Sequence, residues 1–181
     1  VAKTTIMADF KQAYEVIESH EGGYVFDKED PGGETFIGVS RKYHPNWTGW
    51  QIIDKHKSQP DFPRTLELSN ELEKEVEYLY KTEYWNILNC DKIESQQIAT
   101  DIFDFGVNAG LKSSIRLAQK ILCIDVDGFC GNKTIKTLNS YDFEKFVTLF
   151  QIERIQYYIE RVKERPSKKK FFYGWVKRVF S

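Results

Sequence analysis

Glu21, Asp30 and Thr35 are the residues of this chain whose types and spacing most directly suggest chemistry. Two carboxyl groups flanking one bond can cleave a glycosidic linkage. One protonates the leaving oxygen, and the other stabilises the sugar cation or activates a water. Glu21 suits the first role, because it ends an apolar-periodic run, and the negative end of a helix dipole favours a neutral carboxyl. Asp30 suits the second role, and the Thr35 hydroxyl can position a water. Glu34 is a competing acid, but neighbours along a strand face opposite sides, so Glu34 and Thr35 are not expected to share a surface. On spacing alone, Asp30 could merely cap its own turn.

These groups act together only if the chain folds back. Fully extended, the nine residues from Glu21 to Asp30 would span roughly 30 Å. Asp30-Pro31-Gly32-Gly33 has the chemistry of a reversal, with Asp first, Pro second and Gly third. Upstream, Phe10, Ala13, Tyr14, Ile17 and His20 recur at helical spacing, predicting a helix over 9–21 that Gly22 ends in the left-handed conformation. Residues 24–40 predict a small hairpin lobe. Residues 44–63, with three prolines and the aromatics Trp47 and Trp50, read as mostly loop. Ser69 or Asn70 caps a helix bearing Leu72, Val76, Leu79, Tyr80 and Tyr84. Further helices are expected over 95–109, 112–122, 132–139 and 141–164. Pro166 and the following lysines break the chain before a last segment over 171–180. The fold class expected is mainly α with a small β-hairpin lobe (α+β).

Glu21-Gly22-Gly23-Tyr24-Val25, Asp30-Pro31-Gly32-Gly33-Glu34-Thr35 and Gly38 resemble the opening of the glycoside hydrolase family 108 lysozymes, which are N-acetylmuramidases. The likeness continues through Tyr84-Trp85, Cys90-Asp91, Phe103-Asp104, Val107-Asn108-Ala109-Gly110, Asp127-Gly128, Gly131 and Thr134, and ends at Gly174-Trp175-Val176-Lys177-Arg178. The resemblance implies a lysozyme-like fold that hydrolyses the β-1,4 bond between N-acetylmuramic acid and N-acetylglucosamine in bacterial peptidoglycan, with no cofactor. It implies Glu21 as the catalytic acid. Likeness to phage-type lysozymes adds Asp30 and Thr35. The implied organisation is a lysozyme-like catalytic region over 1–90 and a helical region over 91–181 that completes the fold and binds peptidoglycan. The chain departs from the family pattern at Phe36, Val39 and Ser40, which alter cleft polarity, and at Phe129-Cys130 before Gly131, which weakens the binding reading of that loop. The rival reading is a wall-binding or secretion-associated module that kept the fold without the activity.

Other groups have the chemistry to contribute to a sugar site. Asp104 and Asn108 lie four apart on one helical face and could line the sugar cleft, or form a buried hydrogen-bond pair. Tyr24, Trp47, Trp50, Tyr84 and Trp85 could stack on sugars. Tyr84 and Trp85 read better as core, whereas loop placement favours exposure for Trp47 and Trp50. His20-Glu21 lacks the second histidine of a zinc-protease motif, and His44 and His56 lack a ligand pattern, so no metal site is expected. No phosphate-binding glycine loop and no G-x-S-x-G elbow occurs.

Composition bounds the remaining possibilities. The 181 residues are 41% apolar and 15% aromatic, enough for a sizeable core, and the net charge of −1 argues against a nucleic-acid binder. No apolar run approaches the roughly 18 residues of a membrane span. Val1 to Met7 shows no secretory pattern, so lysis, a holin or a dedicated export system is the expected route to the wall. Charge is uneven: residues 161–181 hold eight basic side chains against Glu164, a tail able to meet anionic polymers. Cys90, Cys123 and Cys130 are odd in number and expected as buried free thiols, with a Cys123–Cys130 pair left open.

Overall fold

Asp9 caps the first helix, α1 (Phe10–His20), its Oδ1 accepting from the Gln12 amide at 3.1 Å. Phe10, Ala13, Tyr14 and Ile17 are all buried, as their spacing requires. This computed structural model describes residues 7–26 and 33–180. Among them are eight α-helices and one three-stranded antiparallel sheet, the mainly α architecture with a small β-lobe expected from sequence. The chain divides into two compact units, Ile17–Thr82 and Val1–Val16 with Glu83–Ser181.

The Ile17–Thr82 unit holds the sheet. Strands β1 (Tyr24–Phe26), β2 (Glu34–Phe36) and β3 (Val39–Ser40) pair in that order, with Val25 opposite Thr35 and Phe36 opposite Val39. On β2 the side chains alternate: Glu34 and Phe36 are buried and Thr35 is half-buried between them. Helices α2 (Gly49–His56) and α3 (Asn70–Tyr80) pack on each other. Ser69 caps α3, its hydroxyl accepting from the Leu72 amide at 3.3 Å.

Helix α2 departs from the loop expected over 44–63. Its apolar residues Trp50, Ile52 and Ile53 span barely one turn, too short for periodicity to declare itself, and burial supplies what local preference does not. The expected exposure of Trp50 is therefore corrected. It is 2% exposed, its indole N–H bonds the His44 carbonyl at 2.7 Å, and the Arg41 guanidinium lies over its ring. Trp47 is half-buried, edge-on to Trp50 and bonded to the Glu75 carbonyl at 3.2 Å.

The other unit is helical. Helix α4 (Gln96–Ala109) starts at the Ser95 cap and stops at Gly110, whose φ of 94° only glycine adopts readily. It packs against α5 (Leu111–Ile121) and α7 (Phe143–Glu164), while α7 also holds α5 and α8 (Lys169–Val179). Between α5 and α7 lies the short α6 (Asn132–Ser140). Phe10 brings α1 to this core through ring contacts with Trp85 at 5.6 Å and Phe103 at 6.1 Å. Trp85 is fully buried, as expected of a core residue; Tyr84 is half-buried. Cys90 and Cys130 are buried free thiols, whereas Cys123 is free and exposed, in a left-handed turn with φ 53°.

Candidate active site

The site is built where α1 ends. The Glu21 amide closes the last turn on the Ile17 carbonyl at 3.1 Å, leaving the side chain half-buried at the helix end. Gly22 does not stop the helix in the left-handed conformation expected, for its φ is not positive. Instead its carbonyl accepts from the Ile37 amide at 3.1 Å, which ties the end of α1 to the β2–β3 turn.

That turn has two residues, Ile37 and Gly38, with φ of 42° and 72°. Positive φ at both central positions is what a tight hairpin with right-handed strand twist needs. Glycine adopts it freely; a β-branched isoleucine does not, so Ile37 is a strained position that its surroundings must hold. Tyr80, at the end of α3 and 2% exposed, supplies part of that hold: its hydroxyl donates to the Ile37 carbonyl at 2.9 Å.

Gly38 is also where the backbone meets the candidate acid. A Cβ placed on Gly38 would stand 2.7 Å from Glu21 Oε2 and 2.6 Å from Tyr80 Oη. The carboxyl and the phenol thus converge on one point of the turn, and only a residue without a side chain leaves them room. Glu21, Gly38 and Tyr80 form one constellation, contributed by the ends of two helices and a hairpin tip.

Thr35 lies two residues before this turn, on the opposite face of β2 from buried Glu34 and Phe36. Asp30 lies outside the described residues. Gly33, the last residue of the expected reversal, has φ 66°, the conformation for which glycine is suited.

Glu34, the competing acid, is engaged as an ion. It receives Tyr24 Oη at 2.8 Å, Arg41 Nε at 2.5 Å and Lys57 Nζ at 2.7 Å. Burial works against its charge, but the hydrogen bonds from Lys57, Tyr24 and Arg41 outweigh it and hold the carboxyl below its ordinary range. A group held in that state is a poor proton donor near neutral pH. Arg41 and Lys57 also share Asp54, at 2.7 and 2.8 Å, so the cluster fastens the sheet to α2. Tyr24, expected to meet substrate, is half-buried here; burial and the Glu34 carboxylate push its phenol up to about 12. Its ring stands edge-on to Phe62, with centroids 4.7 Å apart.

Asp104 and Asn108 belong to the helical unit, on α4. Asp104 is 2% exposed and receives Arg154 Nη2 at 2.5 Å and Arg178 Nε at 2.7 Å. Asn108 Oδ1 accepts from Tyr158 Oη at 2.9 Å. Both side chains thereby tie α4 to α7, and Asp104 ties it to α8 as well. Beside them Asp101, 3.8 Å from Arg154, is pushed up to about 6, by burial above all and then by the neighbouring Asp104 charge, against the pull of Arg154. Among the described residues no group of three or more His, Cys, Asp or Glu side chains could hold a metal ion.

Two members of the constellation carry no site role in the sequence, where Gly38 stands only among the motif residues. Tyr80 reads there only as one more apolar position of α3; the usable signal was that a buried tyrosine hydroxyl needs a partner. The Ile37-Gly38 turn was legible as two residues ending in glycine between β-prone segments, but the Pro-Gly-Gly stretch offered a stronger turn signal.

Comparison with known proteins adds to this geometry. The family model described as glycosyl hydrolase 108 matches residues 14–110, more than half of the chain, and one described as predicted peptidoglycan domain matches residues 113–180. A comparison with curated proteins found no match. The solved structure of Brucella abortus SagA is similar with a TM-score of 0.68, at 23% sequence identity, over 94% of this chain and 88% of that one, a likeness of fold.

Proposed function

The chain belongs to the glycosyl hydrolase 108 family, and from that premise we propose that it is a lysozyme, an N-acetylmuramidase acting on bacterial peptidoglycan. Its second family match, to a predicted peptidoglycan domain, supports the same polymer as partner. The observation that carries the reading is the Glu21 carboxyl held against Gly38 and Tyr80 at the junction of helix and hairpin. A general acid must be fixed relative to the bond it protonates, and the close approach of Gly38 and Tyr80 to the Glu21 carboxyl supports that role for it.

In this mechanism Glu21 gives its proton to the glycosidic oxygen as the bond from the muramic acid C1 breaks, freeing the glucosamine 4-hydroxyl. Asp30 stabilises the oxocarbenium charge or takes the proton of the attacking water, and Thr35 orients that water. Water adds at C1, leaving a reducing muramic acid end. In this reading Tyr24, whose hydroxyl donates to Glu34, meets the sugar through its ring. Asp104 and Asn108, whose polar atoms are taken by Arg154, Arg178 and Tyr158, enter as framework of α4. The site of action is the cell wall, reached by lysis, through a holin or by an export system.

Turbidity loss and fragment release from purified sacculi test this directly, wild type beside Glu21→Gln. The expected result is clearing by wild type alone, with fragments ending in reducing muramic acid. Equal lytic rates would remove Glu21 from the mechanism. Sedimentation of both proteins with the wall, with no fragments from either, would establish the binding module instead.

A further inference from the structure

Helix α8 has a buried side and a free one. Phe172, Trp175 and Val179 lie on its inner side, where Trp175 stacks on Tyr158 of α7 at 5.1 Å. Outward, at helical spacing, stand Lys169, Lys170, Tyr173, Lys177 and, at the end, Phe180. The three lysines are exposed, Tyr173 is 82% exposed and Phe180 65%. Arg178 is excluded from this face, because Asp104 holds it inside. We propose that this face docks on an anionic lipid surface, with the ammonium groups against headgroup phosphates and the Tyr173 and Phe180 rings in the boundary between headgroups and acyl chains.

Three observations select that partner. From Pro166 to Phe180 the chain contains no Asp or Glu, so no side-chain anion there competes for the ammoniums. The same stretch has no Asn or Gln either. Sugar hydroxyls are ordinarily held by such amide and carboxylate groups, so a glycan finds few partners on this face. Aromatic rings between lysines on an exposed helical surface are the chemistry of a membrane interface, where a ring loses water as the neighbouring charge finds phosphate. No described helix is long and apolar enough to cross a membrane, so the contact is with the surface. Attraction of this kind is roughly fivefold in affinity per lysine. Three lysines without a deep apolar anchor give a reversible hold that salt weakens.

The test is co-sedimentation of the whole protein with vesicles of phosphatidylglycerol mixed into phosphatidylcholine, beside vesicles of phosphatidylcholine alone. Wild type is expected to bind the anionic vesicles, to ignore the neutral ones, and to release in 0.5 M salt, the concentration chosen for the wash. The triple variant Lys169→Glu, Lys170→Glu, Lys177→Glu is expected to lose about a hundredfold or more in affinity with an unchanged melting temperature, since all three side chains are exposed. Tyr173→Ser should weaken binding at every salt concentration. Equal binding to both vesicle types, no binding to either, or undiminished binding by a folded triple variant would overturn the proposal. So would a loss of sacculus sedimentation in the triple variant with vesicle binding intact, which would make the wall the partner. Glu21→Gln should bind vesicles as wild type does, so this result stands apart from that of the lytic assay.

Discussion

Gly38 faces the Glu21 carboxyl so closely that a methyl group on Gly38 would stand 2.7 Å from Glu21 Oε2. The turn and the candidate acid are therefore one unit of structure, although seventeen positions apart in the sequence. Gly38→Ala is expected to cost about 1–2 kcal/mol for the positive φ and further for the contact, and to reduce lysis by about a hundredfold or more through displacement of the carboxyl. A double-mutant cycle separates the two effects. Placed on a Glu21→Ser background, Gly38→Ala should destabilise less, because the carboxyl it meets is gone. Full additivity in thermal melts would show that the carboxyl adds nothing, and that backbone strain and the Tyr80 contact account for the cost.

Tyr80→Phe removes the donor to the Ile37 carbonyl and leaves the ring in place. A stability loss of about 1–2 kcal/mol is expected from the carbonyl left without that partner. The turn at Ile37, held in a conformation a β-branched residue resists, then loosens beside Glu21. On the proposed mechanism, in which the Tyr80 bond acts through the position of Glu21, turnover should fall about tenfold or more with KM little changed. A raised KM with unchanged turnover would place Tyr80 in substrate binding instead.

Glu34→Gln tests the electrostatic fastening of the sheet. The folded Glu34 carboxyl lies below its ordinary value of 4.5, so its contribution is fully present above that value and is lost as pH falls through the lower folded one. The variant should therefore be less stable than wild type near neutral pH, by about 1–2 kcal/mol. The difference should shrink in the acid range below 4.5. Melting temperatures across that range show it. A gap that stayed constant with pH would mean that packing, not charge, is what the substitution disturbs.

Asp101 and Asp104 should behave oppositely. Removing the Asp104 charge by Asp104→Asn leaves the fully buried Arg154 without its closest counter-ion, at a cost of about 3–5 kcal/mol. Asp101, pushed up to about 6 from its ordinary 3.8, binds its proton more tightly in the folded state. Its charge therefore costs stability above the folded value, and that cost vanishes as pH falls below the unfolded one. Asp101→Asn is expected to stabilise at neutral pH, by up to about 3 kcal/mol, and to flatten the decline between those two values. Chemical denaturation across that window checks both variants; destabilisation by Asp101→Asn would mean that the ion pair with Arg154 outweighs burial.

Much of the framework was legible before any coordinates. Phe10, Ala13, Tyr14 and Ile17 declare α1 by their period, Ser69 and Ser95 mark helix starts with hydroxyls, and Pro166 separates α7 from the last helix. Such signals are local, made by neighbours along the chain, and so survive in one dimension. The place of Glu21 at the end of α1 was legible for the same reason, as was the alternation that sets Thr35 apart from Glu34.

What the sequence by itself determined was the mainly α class with its small hairpin lobe, the helix that ends at Glu21 and the motif order that places the chain in its family. Tertiary structure alone decided which groups surround the acid. Gly38 and Tyr80 meet Glu21 from seventeen and fifty-nine positions away, and no periodicity records a meeting at such separations. It also decided that Glu34 is an ion clasped by Arg41 and Lys57, that Asp104 lies between two guanidiniums, and that the short apolar run at Trp50 winds into a helix. The physical reason is common to all of these. A charge is stabilised or penalised, and a short helix held or lost, by what is packed around it, and the chain order does not contain that neighbourhood.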